Sequence, residues 1–203
     1  MAKIPAQVEV ETATQAASRS RVYQLVANTF SFPTPEVYEE IKTGNMRQQL
    51  EGALPGLPYS LTIEGEEGRG VDADFPQFQS QYIGLFEVGG AQGPPCPLYE
   101  GHYSSGRTAI MAELLSFYHF FGLRPLQQQP RELPDHLSLE LEFMHALAYK
   151  EVIASQEGKS PQPYWKAQRD FLEQHLAEFV AAVSGHLRPL KAPVFSDMII
   201  LAE

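Results

Sequence analysis

The sequence predicts an all-α fold, a single-domain bundle of about seven to nine helices. Three observations predict it. Apolar residues recur at helical spacing through successive long stretches, and glycines and prolines punctuate the gaps between them. Nowhere do two alternating β-branched runs meet across a hairpin signal, and no internal repeat is present. With 203 residues, 43% of them apolar and 11% aromatic, the chain can bury a full core without disulfides or a structural metal.

Residues 1–11 lack helical periodicity and are expected as a loose lead-in to one domain over 12–203. Thr12 or Thr14 caps a first helix reaching about Phe30, with Ala16, Val22, Leu25, Val26 and Phe30 turned inward. Pro33 stops it. Thr34-Pro35 is an N-cap followed by proline at the first helical position, opening a short helix that Gly44 ends. A further short helix covers Met46 to Ala53. The stretch from Pro55 to Gly70, rich in Pro, Gly and Glu, reads as an exposed loop. Asp72 or Asp74 then caps a helix that carries Phe75, Phe78, Tyr82, Leu85 and Phe86 to the core, and Gly89-Gly90 ends it.

Residues 91–106 hold Pro, Tyr and Cys in unusual density for a surface loop, so this segment is expected to pack. A helix from about Arg107 to Phe121 bears apolar residues around more than half its circumference and is expected to be central. Gly122 ends it, and a hinge-like linker over 122–135 carries Pro125, Pro130 and Pro134. Asp135 is expected to cap the longest helix, about His136 to Gln156, which Gly158 closes. Ser160-Pro161 opens another long helix through Trp165, Phe171, Leu172, Leu176, Phe179 and Val183, ending near Ser184 at Gly185. A short amphipathic segment, Val194 to Ala202, completes the bundle.

Charge narrows the partners. Fifteen Lys and Arg against 25 Asp and Glu give a formal net charge of −10, which repels phosphate backbones and anionic lipid surfaces and favours a basic peptide. No nucleic acid is expected. The lone Cys96 excludes an internal disulfide and suits a reducing cytoplasm. No basic start precedes a signal-like apolar run, and no stretch approaches 18 apolar residues, so neither export nor membrane insertion is expected.

Catalytic candidates are weak. Glu142 and His145 form a Glu-x-x-His pattern that puts a carboxylate and an imidazole on one helix face, as di-iron bundles require, but such bundles need two copies and the spacing does not recur. A metal-dependent helical oxidoreductase using Glu142 and His145, with Glu140 or His136, is the runner-up; a local polar pair of His136 with Glu140 is the plainer expectation. Gly101 to Thr108 has the glycine separation of a phosphate loop, yet Arg107 stands where the lysine belongs and no buried strand precedes it. Helix entry with Ser104 or Ser105 as cap is the simpler account, and a nucleotide-responsive regulator is a third reading. Cys96, between Pro95 and Pro97, has no nearby base to activate it, and no Gly-x-Ser-x-Gly elbow occurs. The chain is therefore read as a binding protein with no catalytic residue, no metal and no cofactor. Glu132, Asp135 and His136 set two carboxylates and an imidazole at the mouth of the longest helix, a suitable place for a peptide with arginines ahead of an apolar stretch.

Two motifs carry a family resemblance. Tyr82-Ile-Gly-Leu85-Phe86 resembles the aromatic-x-x-Leu-Phe motif, and Glu132-Leu-Pro-Asp135-His136 the Glu-Pro-x-Asp-His motif, of the TorD/DmsD/NarJ family of redox-enzyme maturation chaperones. They occur in the family's order, with Pro-Pro-Cys-Pro-Leu-Tyr-Glu between them where the family has a segment rich in proline and aromatics. One departure is that Leu133 precedes Pro134, whereas the family places proline directly after the glutamate. The variant looks closest to the branch serving type II dimethyl sulfoxide reductase family enzymes. The resemblance implies a TorD-like fold and a cytoplasmic chaperone for a molybdopterin-containing catalytic subunit. Such a chaperone binds the subunit's twin-arginine signal peptide and delays export until the cofactor is inserted. Carried onto this chain, Tyr82, Leu85 and Phe86 would line or support the peptide groove, although residues at such spacing are by default core. Glu132, Pro134, Asp135 and His136 would form the recognition loop, with Pro95 and Tyr99 as looser candidates. The family also suggests weak guanine nucleotide binding and either a monomer or a domain-swapped dimer.

Overall fold

Helix α1 (Ala6–Phe30) and helix α6 (Leu137–Gln156) pack against each other along their length and form the axis of the molecule. The computed structural model describes residues 6–61, 63, 73–91, 93–123, 132–190 and 192–202, with side chains from residue 13 onward. The remaining helices are α2 (Pro35–Lys42), α3 (Asn45–Ala53), α4 (Phe75–Phe86), α5 (Arg107–Phe120), α7 (Gln162–Phe171), α8 (Ala177–Leu187) and α9 (Pro193–Ile200). Among the described residues there are thus nine α-helices and no strand, the all-α bundle that the apolar periodicity predicts.

One hydrophobic core takes buried side chains from all nine helices. At one end Phe195 of α9 lies among Phe30, Phe78, Tyr82 and Phe86, with ring centroids 5.9, 5.7, 6.0 and 4.9 Å away. Edge-to-face and stacked contacts at these separations add to the burial of large rings. On the other side Arg19 of α1 reaches both oxygens of the fully buried Glu151 of α6, and Gln168 of α7 donates to the same carboxylate at 2.8 Å.

Local signals explain most boundaries. Thr34 caps α2, its hydroxyl accepting from Val37 N at 3.4 Å with Pro35 at the first position. Asp74 caps α4 in a reciprocal box: it accepts from Gln77 N at 2.9 Å while the Gln77 side chain accepts from Asp74 N at 3.1 Å. Gly158, at φ +66°, follows the end of α6.

Several boundaries depart from expectation. Helix α1 begins at Ala6, so the lead-in expected through residue 11 is helical from that point; residues 1–5 lie outside the described set. Asp72, half of the Pro55 to Gly70 loop and the linker prolines Pro125 and Pro130 also lie outside it. Helix α4 stops at Phe86, short of Gly89. Helix α5 is one-sided rather than central: Ile110, Leu114 and Tyr118 are buried, whereas Phe120 is 82% exposed. Its Phe117 and Phe120, with Phe121 at its C-cap, border an open apolar groove of about 730 Å³ against α7. The single helix expected from Ser160 to Ser184 is instead α7, a π-turn over Leu172–Leu176, and α8, which continues through Gly185. The extra residue of a π-turn shifts the helical phase. Trp165 is 42% exposed, and His175 in the turn itself is buried.

Candidate functional site

Pro94, Pro95 and Pro97 have no amide hydrogen and have fixed φ, and the stretch runs through a bend at Pro95 and Cys96 rather than as helix. The donors that remain fasten it on both sides. Cys96 N donates to Leu85 O at 2.9 Å in the last turn of α4. Leu137 N donates to Leu98 O at 2.9 Å, and Glu100 N donates to Asp135 O at 2.9 Å, so that Tyr99 and His136 form an antiparallel bridge. Buried Cys96 and Leu98 anchor the segment from below, and Tyr103 Oη donates to Pro97 O at 2.8 Å. Through these main-chain bonds the end of α4 and the start of α6, remote in sequence, become two walls of one cleft.

The cleft has a volume of about 310 Å³ and is lined by Tyr82, Phe86, Glu87, Pro94, Pro97, Tyr99, His102, Glu132 and His136. Tyr82 and Phe86 are its floor, buried but for 1 and 2% of their surface, and Tyr82 Oη donates to Phe30 O at 2.9 Å. Five of the nine candidate residues therefore meet here: Tyr82, Phe86, Tyr99, Glu132 and His136. The other four do not line it. Leu85 is half-buried and lends its carbonyl to Cys96. Pro95 is exposed. Pro134 is half-buried, its carbonyl accepting from Tyr118 Oη at 2.9 Å. Asp135 is wholly buried, so its expected place at an open mouth is corrected to one beneath the surface.

The turn entering α6 differs from expectation in its cap. Asp135 was the natural choice by residue type, but His136 holds the N-cap position. Its Nδ1 accepts from Ser138 N at 3.3 Å and lies 2.8 Å from Ser138 Oγ. Burial pushes the imidazole pKa down to about 3, so the ring is neutral at physiological pH and presents the cleft with an uncharged face. Its edge meets Tyr99 at 4.9 Å between centroids. Asp135 Oδ2 instead receives Arg107 Nε at 3.2 Å and Gly101 N at 3.3 Å.

The field at the rim is negative. The Tyr99 phenol is raised above its ordinary value, first by burial and then by the charges of Glu132, Asp135 and Glu87, with Arg107 opposing them. Glu87 and Glu132 stand at the cleft itself. Sequence reasoning missed Glu87, Pro94, Pro97 and His102 as lining residues. Pro94 and Pro97 belong to a stretch that composition had marked, whereas Glu87 and His102 carry no pattern of their own.

Rival chemistries find little support. Glu142 and His145 share a face as their spacing demands and line a different cavity of about 290 Å³ with Tyr118 and Phe143. His145 Nδ1 is 2.9 Å from both Ser20 O and Ser20 Oγ. Among the described residues no three His, Cys, Asp or Glu side chains converge closely enough to hold a metal ion. The expected pair of His136 with Glu140 does not form: Glu140 is fully buried with neither oxygen hydrogen-bonded, and burial first, then Glu100 and Asp135, raises its carboxyl pKa well above normal. At the phosphate-loop look-alike, Gly106 at φ +89° occupies the cap position in place of Ser104 or Ser105, and Arg107 is turned toward Asp135. Burial pushes the Cys96 thiol up to about 12, which fits a packing residue. No described helix is long and apolar enough to cross a membrane.

The nitrate reductase delta subunit family matches residues 43–184. The perchlorate reductase assembly chaperone protein of Dechloromonas aromatica (strain RCB) is 36% identical over 201 residues, covering 96% of this chain and 89% of that protein. The chlorate reductase assembly chaperone protein of Ideonella dechloratans is 44% identical over 104 residues, covering 50% of this chain and 53% of that protein. A crystal structure from Archaeoglobus fulgidus, described as that of a redox enzyme maturation protein, aligns with a TM-score of 0.51 at 20% identity over 92% of this chain and 90% of its own, a likeness of fold.

Proposed function

This chain belongs to the nitrate reductase delta subunit family, and from that premise we propose that it is an assembly chaperone, not an enzyme, for the catalytic subunit of a molybdopterin-containing oxidoreductase. The relatives named for perchlorate and chlorate reductases point to a client of that kind. We further propose that the chaperone acts in the cytoplasm and holds the client's twin-arginine signal peptide in the cleft between α4 and α6. Export then waits until the cofactor is in place.

One observation supports the peptide reading above the rest: the two motifs converge on one cleft whose floor is aromatic and whose rim bears Glu87 and Glu132. A carboxylate rim attracts the arginines through charge and hydrogen-bond geometry. The aromatic floor gives the adjoining apolar residues a surface to leave water on. His136, neutral and capped onto α6, adds no repulsion.

The test is calorimetric titration with a synthetic peptide in which paired arginines precede an apolar segment. Saturable binding is expected, weakened about tenfold in Glu132→Gln, with a lysine-for-arginine peptide binding less tightly. A peptide that never saturates the wild-type protein defeats the peptide reading and leaves client assembly to be traced to another surface.

A further inference from the structure

Beneath the cleft, the contact of Arg107 with Asp135 is built unlike an ordinary structural ion pair. Asp135 is completely buried, yet Oδ2 takes only two long hydrogen bonds, at 3.2 Å from Arg107 Nε and 3.3 Å from Gly101 N. Oδ1 is buried without any hydrogen-bond partner. Leaving a carboxylate oxygen bare in the interior is costly. The cation opposite keeps 40% of its side chain exposed and does not present the two-pronged edge that a guanidinium offers a carboxylate.

Arg107 reaches this place over a path cleared for it. Its aliphatic stem lies across Gly101, where a Cβ would meet Arg107 Cγ at 2.4 Å. Its Cζ sits 5.5 Å from the centre of the Tyr99 ring. Tyr99 in turn lines the cleft. An aromatic face and a buried carboxylate with a free oxygen, set together beside an acidic cleft, are the parts of a guanidinium receptor.

We propose that Tyr99 and Asp135 form an arginine subsite that Arg107 occupies as an internal stand-in, and that one arginine of the bound peptide displaces it. The proposal deepens the peptide-binding reading and rests on it. Arg107 leaves for solvent, to which its side chain is already open. The incoming guanidinium then stacks on Tyr99 and engages Oδ1 as well as Oδ2. Arginine is thereby preferred over lysine, because an ammonium neither stacks flat nor spans two oxygens. A competitor tethered in the site also lowers the apparent affinity by the fraction of time it is seated.

Three proteins test it: wild type, Arg107→Ala, and Arg107→Ala with Asp135→Asn. Ethylguanidinium should raise the melting temperature of Arg107→Ala alone, and ethylammonium should not. The same variant should bind the arginine-bearing peptide roughly fivefold tighter than wild type, and Asp135→Asn should erase the gain. Equal or weaker peptide binding by Arg107→Ala, or no stabilisation by ethylguanidinium, overturns the proposal. Should that variant fail to fold, nuclear magnetic resonance of the wild-type Arg107 Nε–H decides. Its resonance must move and its solvent exchange must quicken on peptide addition, and an unchanged signal in a saturated complex refutes displacement. Where wild type binds no peptide at all, the peptide reading falls, while the ethylguanidinium arm still judges the subsite.

Discussion

Arg19 Nη2 contacts both oxygens of Glu151, at 2.9 and 2.7 Å, across the interface of α1 and α6. The carboxylate is fully buried and the arginine is 22% exposed at the side chain. Removing the cation alone strands a buried charge, so Arg19→Ala should lower stability by about 3 kcal/mol. Replacing both, as Arg19→Met with Glu151→Leu, should recover most of the loss. Urea denaturation of the three proteins reads the difference, and a single variant as stable as wild type contradicts it.

Phe195 joins α9 to the residues under the cleft. Phe195→Ala should cost about 3–5 kcal/mol, and because Tyr82 and Phe86 lose their common neighbour, peptide affinity should fall with it. Thermal melts and calorimetry on one preparation test both effects.

The rim charges set the salt response. Peptide affinity should decline as sodium chloride is raised, since exposed charges are screened. Glu87→Gln combined with Glu132→Gln should flatten that dependence as well as weaken binding at low salt. A salt slope equal to wild type in the double variant would exclude these two carboxylates as the attracting groups.

Two buried groups titrate in opposite senses. His136 has a folded pKa of about 3 against an ordinary 6.5, so the unfolded chain binds the proton first. Its contribution is complete above pH 6.5 and is lost as pH falls from there toward 3. Glu140 is raised above its ordinary 4.5, so the folded chain holds its proton longer, and stability drains as pH climbs past 4.5. Glu140→Gln should therefore stabilise the protein at neutral pH and confer little near pH 4.5. Chemical denaturation across pH, with and without the substitution, checks the sign.

Cys96 is buried and its thiol is pushed up to about 12. The thiolate is the nucleophile, so iodoacetamide should label the native protein very slowly and the urea-unfolded chain readily. Rapid native labelling would mean that the segment fastened between α4 and α6 opens often.

Much of the fold was legible because its signals are local. Thr34-Pro35, Asp74 with Gln77, and Gly158 each act within one turn, and the inward stripe of α1 follows from its spacing alone. What was not legible depends on partners distant in the chain. Asp135 by residue type is a good cap, but Arg107 and Gly101 claim its carboxylate and His136 takes the cap position. The apolar cover over more than half of α5 implied a central helix, yet Phe120 borders an open groove. The π-turn at Leu172–Leu176 lengthens one helix by a residue whose type announces nothing. Of the site, Tyr82, Phe86 and Tyr99 were anticipated as site residues by resemblance, and Glu132 and His136 also by their residue types at the mouth of α6, whereas Glu87 and His102 enter the cleft only through the fold.

The opening of the cleft is gauged by backbone amides, since Cys96 holds to Leu85, Glu100 to Asp135 and Leu137 to Leu98. Exposed side chains at its lip can accordingly be exchanged without moving its walls. Substitution at the lip can then change what the cleft accepts while the frame beneath stays unaltered.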